Sequence, residues 1–127
     1  MTYEEIFSAA KEQFMKSDVS GFNNFLAVQV DIIGEGEGAF YIELKDRKLT
    51  VEPYEYYDRH VKLIATGEDF LKIADGSMNA VMAYTTGKLK IEGDLGKALE
   101  LQQIIEAIKK EEKAAKKTAK KNARKKS

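Results

Sequence analysis

The chain has 127 residues, 43% of them hydrophobic and 9% aromatic, enough for one globular domain with a core of its own. Zero cysteines and a single histidine, His60, exclude thiolate metal sites, iron–sulfur clusters, disulfide scaffolds, cysteine nucleophiles and two-histidine zinc motifs. The formal net charge of zero conceals a segregation: residues 1–108 hold 11 Lys and Arg against 19 Asp and Glu, while residues 109–127 hold 10 against 2.

From Glu4 the apolar residues Ile6, Phe7, Ala10, Phe14 and Met15 recur at helical spacing and predict an amphipathic helix ending near Ser17. Leu26, Val28, Val30 and Ile32 then alternate with Ala27, Gln29 and Asp31 as in a half-buried strand. After Gly34-Glu-Gly-Glu-Gly38, Phe40, Ile42 and Leu44 repeat the alternation. Past Asp46-Arg47 it resumes with Leu49 and Val51, which completes a three-stranded meander. Pro53 closes the third strand before the aromatic segment Tyr54 to Tyr57, and His60 to Ala65 reads as a fourth strand. A short helix from Gly67 carries Phe70, Leu71 and Ala74 and stops at Gly76; a second, capped by Asn79, runs to Gly87. Lys88 to Glu92 form a fifth strand with Leu89 and Ile91 inward. Leu95, Ala98, Leu99, Leu101, Ile104, Ile105 and Ile108 then line one wide apolar face of a long helix.

Five strands with one apolar face, flanked by helices, give an α+β fold: a mostly antiparallel five-stranded sheet with helices covering one face. The two short helices between the fourth and fifth strands read as a crossover, which makes at least one strand pair parallel. The amino terminus lacks the basic and apolar regions of a secretion signal, and no stretch nears the ~18 apolar residues of a membrane span. A cytoplasmic protein is the expectation.

The chemistry inventory is thin. Gly34 to Gly38 joins two alternating strands and interposes two carboxylates, so it reads as a hairpin turn and not a phosphate cradle. The second glycine cluster misses the phosphate-loop spacing, because Ile91 stands where the first glycine belongs and Ala98 follows Lys97. His60 has no serine or carboxylate beside it in the sequence and reads as a surface histidine; Glu52, Glu55, Asp58, Glu68 and Asp69 read as solvated acidic surface. No nucleophile, base and orienting group can be assembled, so the chain reads as a binding protein and not an enzyme. Met78, Met82, Phe70 and Tyr84 fit either a closed core or a pocket wall in which flexible thioethers meet apolar ligands.

Phe40 to Lys45, Leu49 to Pro53, Asp69 to Gly76, and Ala83-Tyr-Thr-Thr-Gly-Lys-Leu-Lys-Ile-Glu-Gly-Asp94 with the Ala98-Leu-Glu-Leu101 helix resemble the sterol carrier protein 2 family over about residues 3–108. The resemblance is to the stand-alone prokaryotic type in particular. It implies an apolar tunnel between sheet and helices that takes fatty acids, fatty acyl chains, sterols or phospholipids, with no catalysis, no metal and no cofactor. The implied lining is Phe70, Ile73, Ala74, Met78, Val81 and Met82 from the short helices and Leu101, Ile104 and Ile105 from the last helix. Phe40, Ile42, Val51, Leu89 and Ile91 would line it from the sheet. Asn79-Ala80 replaces the family's frequent aspartate-proline, and Thr85-Thr86 stand where an aromatic or methionine is usual, so the ligand class is not copied from sterol-binding members. The closing Arg124-Lys-Lys-Ser127 is not the peroxisomal Ser-Lys-Leu address, which fits a bacterial cytoplasmic protein.

The Lys- and Ala-rich segment 109–127 reads as a basic tail that extends the last helix without an apolar face. It is a solvated extension, a contact for anionic membrane, or a nonspecific nucleic-acid contact; the last is disfavoured for want of aromatic stacking partners. The expected partner is an apolar lipid, and the expected state a monomer or weak dimer. An accessory or regulatory protein-interaction domain with a filled core is the competing reading.

Overall fold

The computed structural model describes the backbone of residues 1–125 and the side chains of residues 1–112, so the side chains expected to make the tail basic beyond 112 lie outside the described residues. The chain runs α1 (Tyr3–Met15), β1 (Leu26–Ile33), β2 (Gly38–Lys45), β3 (Lys48–Glu52), β4 (Val61–Thr66), α2 (Gly67–Ala74), α3 (Ala80–Thr85), β5 (Lys90–Gly93) and α4 (Leu95–Lys125). Thr2 and Glu5 form a reciprocal capping box at the start of α1, which buries Ile6, Ala10 and Phe14 at four-residue spacing. The turn expected at Gly34 to Gly38 joins β1 to β2 with Gly34 and Gly36 at φ 77° and 75°, where a side chain would be strained.

The sheet order is β3-β2-β1-β4-β5, and three of its four strand pairs are antiparallel. The parallel pair is β1 with β4, which sets Val28 beside Val61 and Val30 beside Leu63. This corrects one expectation: α2 and α3 connect β4 to its antiparallel neighbour β5, whereas parallelism arises because the chain leaves β1 through the β2–β3 hairpin and returns along residues 53–60. Helices α1, α2 and α4 cover one face, with α1 on β3 and α2, and α4 across β1, β4 and β5. Their shared core holds Phe14, Phe40, Phe70, Leu26, Ile42, Leu44, Leu101, Ile104 and Ile105, all buried. Phe40 sits edge-on to both Phe7 and Phe70, with ring centroids 5.6 and 5.5 Å away. Among the described residues, no helix is long and apolar enough to cross a membrane.

The other face is partly roofed by residues 53–60. The Tyr56 backbone N–H donates to Gln29 Oε1 at 3.0 Å, and its hydroxyl donates to Glu43 Oε2 at 2.8 Å. Gln29, buried despite its polarity, is therefore satisfied, and its Nε2 donates in turn to Asp31 at 2.8 Å. His60, expected on the surface, is half-buried: its Nδ1 accepts the Ala27 N–H at 2.9 Å and its ring meets Phe25 edge-on at 5.0 Å.

Two stability predictions arise here. Asp46 and Arg47 both occupy the left-handed region, φ 52° and 61°, to close the two-residue hairpin between β2 and β3, a geometry that glycine favours. Removing the Arg47 Cβ relieves roughly 1–2 kcal/mol of backbone strain against about 0.5–1 kcal/mol of extra unfolded-state entropy. Arg47→Gly should raise the urea midpoint at unchanged slope; a lower midpoint would contradict this reading of the turn. Desolvation, followed by the bond to Glu43 and its charge, pushes the Tyr56 phenol up to about 12 from 10.0. The folded state thus holds this proton more tightly than the unfolded chain, so the contribution is complete below pH 10 and is lost as pH rises toward 12. Urea midpoints measured from pH 9 upward should fall more shallowly for Tyr56→Phe than for the parent.

Candidate functional site

The residues expected to line a site separate into two groups. Phe40, Ile42, Val51, Phe70, Ile73, Ala74, Leu89, Leu101, Ile104 and Ile105 are all buried, packed into the single core between sheet and helices. Met78 and Ile91 are partly buried against that core. Val81 and Met82 face out, 51% and 63% exposed, on a helix whose only buried residue is Ala83.

One of the exposed pair, Val81, belongs to a larger apolar surface. Tyr84 of α3 and Leu95 and Leu99 of α4 are 47%, 49% and 52% exposed, although large apolar side chains on a helix normally turn inward. Between α3, β5 and the start of α4 lies a solvent-open groove of ≈ 150 Å³ lined by Ala80, Val81, Tyr84, Ile91, Leu95, Ala98, Leu99 and Gln102. Seven of these eight side chains are apolar or aromatic. Of the expected site residues, the structure brings Val81 and Ile91 to this groove and leaves the ten buried ones elsewhere in the core.

Its two walls differ in anchorage. Helix α4 buries Leu101, Ile104, Ile105 and Ile108, and its flank is tied to the loop before β1: Asn24 Nδ2 donates to Glu100 Oε1 at 2.9 Å, and Lys97 Nζ donates to the Phe25 carbonyl at 3.1 Å. The buried Glu100 Oε2 lacks a hydrogen bond of regular geometry but faces Lys97 Nζ at 3.1 Å, which neutralises it. Helix α3 has only six residues. It is capped by Asn79 Oδ1, which accepts from Val81 and Met82, and is held to α4 by a long 3.4 Å bond from the Ala80 N–H to Gln102 Oε1. Behind it the Ala83 carbonyl accepts from Lys88 and Leu89, which anchors the approach to β5. One wall is rigid, the other lightly attached.

Sequence reasoning weighed Tyr84 as core or pocket wall without placing it in the expected lining, and missed Ala80, Leu95, Ala98, Leu99 and Gln102 as lining residues. A signal was present, since the apolar face of α4 spans more of the helix circumference than one sheet contact requires. No three His, Asp or Glu side chains converge as for a metal ion among the described residues.

Comparison with known proteins places this fold. The model of the SCP-2 sterol transfer family matches residues 4–106. Hydroxysteroid dehydrogenase-like protein 2 of Xenopus tropicalis is 35% identical over 107 residues, which take in 82% of this chain and 24% of that protein. The chain thus spans about a quarter of the length of such curated relatives. The crystal structure of sterol carrier protein 2 like 2 from Aedes aegypti aligns at a TM-score of 0.61 and 23% identity, covering 80% of this chain and 94% of that one. The solution structure of the palmitated form of that mosquito protein gives 0.61 at 22% identity, covering 83% and 95%. With the five-stranded sheet and its helical cover in place, and a family match that runs from α1 into α4, the chain belongs to the SCP-2 sterol transfer family.

Proposed function

We propose that this chain is a non-enzymatic lipid binder whose groove between α3 and α4 admits an acyl chain. The observation that carries the reading is that the exposed apolar side chains Val81, Tyr84, Leu95 and Leu99 all line one apolar concavity. Surfaces of this kind mark binding sites on soluble proteins. Membership of the family and the palmitated mosquito relative support an acyl ligand.

Magnitudes favour the same reading. A sixteen-carbon chain has on the order of 10 kcal/mol available from burial, at about 0.8 kcal/mol per methylene, before ordering costs. Micromolar affinity requires about 8 kcal/mol net. The groove at ≈ 150 Å³ is smaller than the roughly 300–1,000 Å³ of typical ligand sites, so loading requires it to widen. The wall that yields is α3, with one buried residue, and the route it opens leads toward Met78, Ile91 and the core residues expected to form a tunnel. A second reading is favoured by the filled space between the layers: an accessory domain in which the same groove takes an apolar segment of a partner protein. The helix that forms the rigid wall continues to the basic segment 109–127, which we assign to contact with anionic bilayers.

Delipidated protein should take up a fluorescent fatty acid at micromolar concentration. Leu99→Asp should weaken that uptake at least about tenfold, because a carboxylate then faces the acyl chain, while changing stability by no more than about 0.5 kcal/mol at this exposed position. Undiminished uptake in the variant would remove the groove from the account, and no uptake by the parent would favour the protein-partner reading. Co-sedimentation with vesicles containing anionic lipid should fall steeply as salt is raised; salt-independent or absent sedimentation would contradict the assignment of the tail.

A further inference from the structure

The groove continues past its apolar end. On α4, Leu95, Ala98, Leu99 and Gln102 line the apolar part, and Gln102, Ile105, Glu106 and Lys109 line a second recess of ≈ 290 Å³. These positions follow steps of three and four residues, so they form one stripe along the helix. The facing wall runs the other way, with Val81 and Tyr84 opposite the apolar part and Gly76, Ser77 and Asn79 opposite the polar part. Gln102 is the one residue common to both recesses and stands at their junction, where its Oε1 accepts the Ala80 N–H of the facing wall at 3.4 Å, a long bond that a chain running from one recess to the other displaces. The two recesses thus lie end to end as a furrow of about 21 Å from Leu95 to Lys109, at 1.5 Å of helix per residue, apolar at one end, polar at the other and bridged midway by the Ala80–Gln102 bond.

The polar end offers donors whose charge is not spent. Lys109 Nζ donates to the Gly76 carbonyl at 3.0 Å, and among the described residues no carboxylate lies within 4.0 Å of it. Its stem packs on Gly76, which at φ 81° leaves the backbone bare for that approach. The Asn79 carbonyl oxygen is used in capping α3, so its amide N–H₂ is the part available to a ligand. The Ser77 hydroxyl is committed to the Lys72 carbonyl at 3.2 Å, and the Gln102 amide to Glu106 at 3.3 Å. The groups left for a ligand are thus the Lys109 cation and the neutral Asn79 amide, in a recess that the Glu106 carboxylate also lines, which disfavours a doubly charged head.

Resting on the lipid-binding reading above, we propose that the furrow binds a single-chain fatty acid in one orientation, its carboxylate between Lys109 and Asn79 and its methyl end between Tyr84, Leu95 and Leu99. The polar end selects a singly charged head and the apolar end accepts the chain. Lys109 is then a specificity-determining residue.

Orientation is tested by amide NMR of the full chain with stearic acid carrying a nitroxide either next to the carboxylate or at the methyl end. The first label should broaden Gly76, Ser77 and Lys109, and the second Tyr84, Leu95 and Leu99; the reverse pattern, or identical patterns, would overturn the proposal. Head-group selection is tested by competition of palmitate, hexadecanol and hexadecyl phosphate for the fluorescent probe. Lys109→Glu should weaken palmitate about three- to fivefold, the scale of a solvent-accessible ion pair, and leave hexadecanol unchanged, and Lys109→Arg should restore palmitate. Equal losses for palmitate and hexadecanol in both variants would mean that Lys109 only holds the turn at Gly76, and tighter binding of hexadecyl phosphate than palmitate would overturn the carboxylate assignment. If neither labelled acid binds the parent protein, the lipid-binding reading itself fails.

Discussion

Helix α4 carries more apolar surface than the sheet beneath it can cover, and the rest of the molecule is arranged around that excess. Leu101, Ile104, Ile105 and Ile108 are buried on the side of α4 that packs on β1, β4 and β5, while Leu95 and Leu99, in the first two turns of the helix, stay half-exposed. The helix facing them across the groove is α3, six residues long and itself bearing Val81, Met82 and Tyr84 outward. Water-facing apolar surface of this extent is costly, since each buried square ångström gains about 25 cal/mol. A closed domain would cover it, whereas a carrier can leave it for the ligand.

The distribution of anchoring interactions follows the same division. Toward β1 and β2 the structure is tightly specified: antiparallel and parallel partners on either side of β1, a cluster of edge-on aromatics from Phe7 to Phe70, and a buried Gln29 whose polar atoms meet Tyr56 and Asp31. Toward β5 it thins. That strand has four residues, none of them fully buried, and the adjacent α3 contributes only Ala83 to the core. Sparse burial of this kind lowers the free energy of local opening, so the candidate site lies beside the most thinly packed part of the described fold.

Much of this was legible in the chain. The strict alternation of Leu26, Val28, Val30 and Ile32 identifies β1 and the face it buries, and the Asn79 side chain caps α3 where the sequence puts it. Other features depend on what lies over a residue, which periodicity does not record. Leu89 and Ile91 share a parity and read alike, yet Leu89 precedes the strand and is buried, while Ile91 lines the groove. Val81 and Met82 have the spacing of core residues but face outward because, among the described residues, no layer covers α3 on that side. The parallel pairing of β1 and β4 spans more than thirty residues and involves a return path over the second sheet face, built by Tyr56 and His60 through hydrogen bonds that no local pattern announces.

The claim on which the account rests is that the unfilled apolar surface between α3 and α4 is a lipid site. Native mass spectrometry of the purified protein, with organic extraction and identification of any bound molecule, tests it most directly. A lipid site predicts a co-purified single-chain lipid at near-stoichiometric occupancy, released by delipidation and regained on adding palmitate. Protein that emerges empty and gains no mass with palmitate would contradict it.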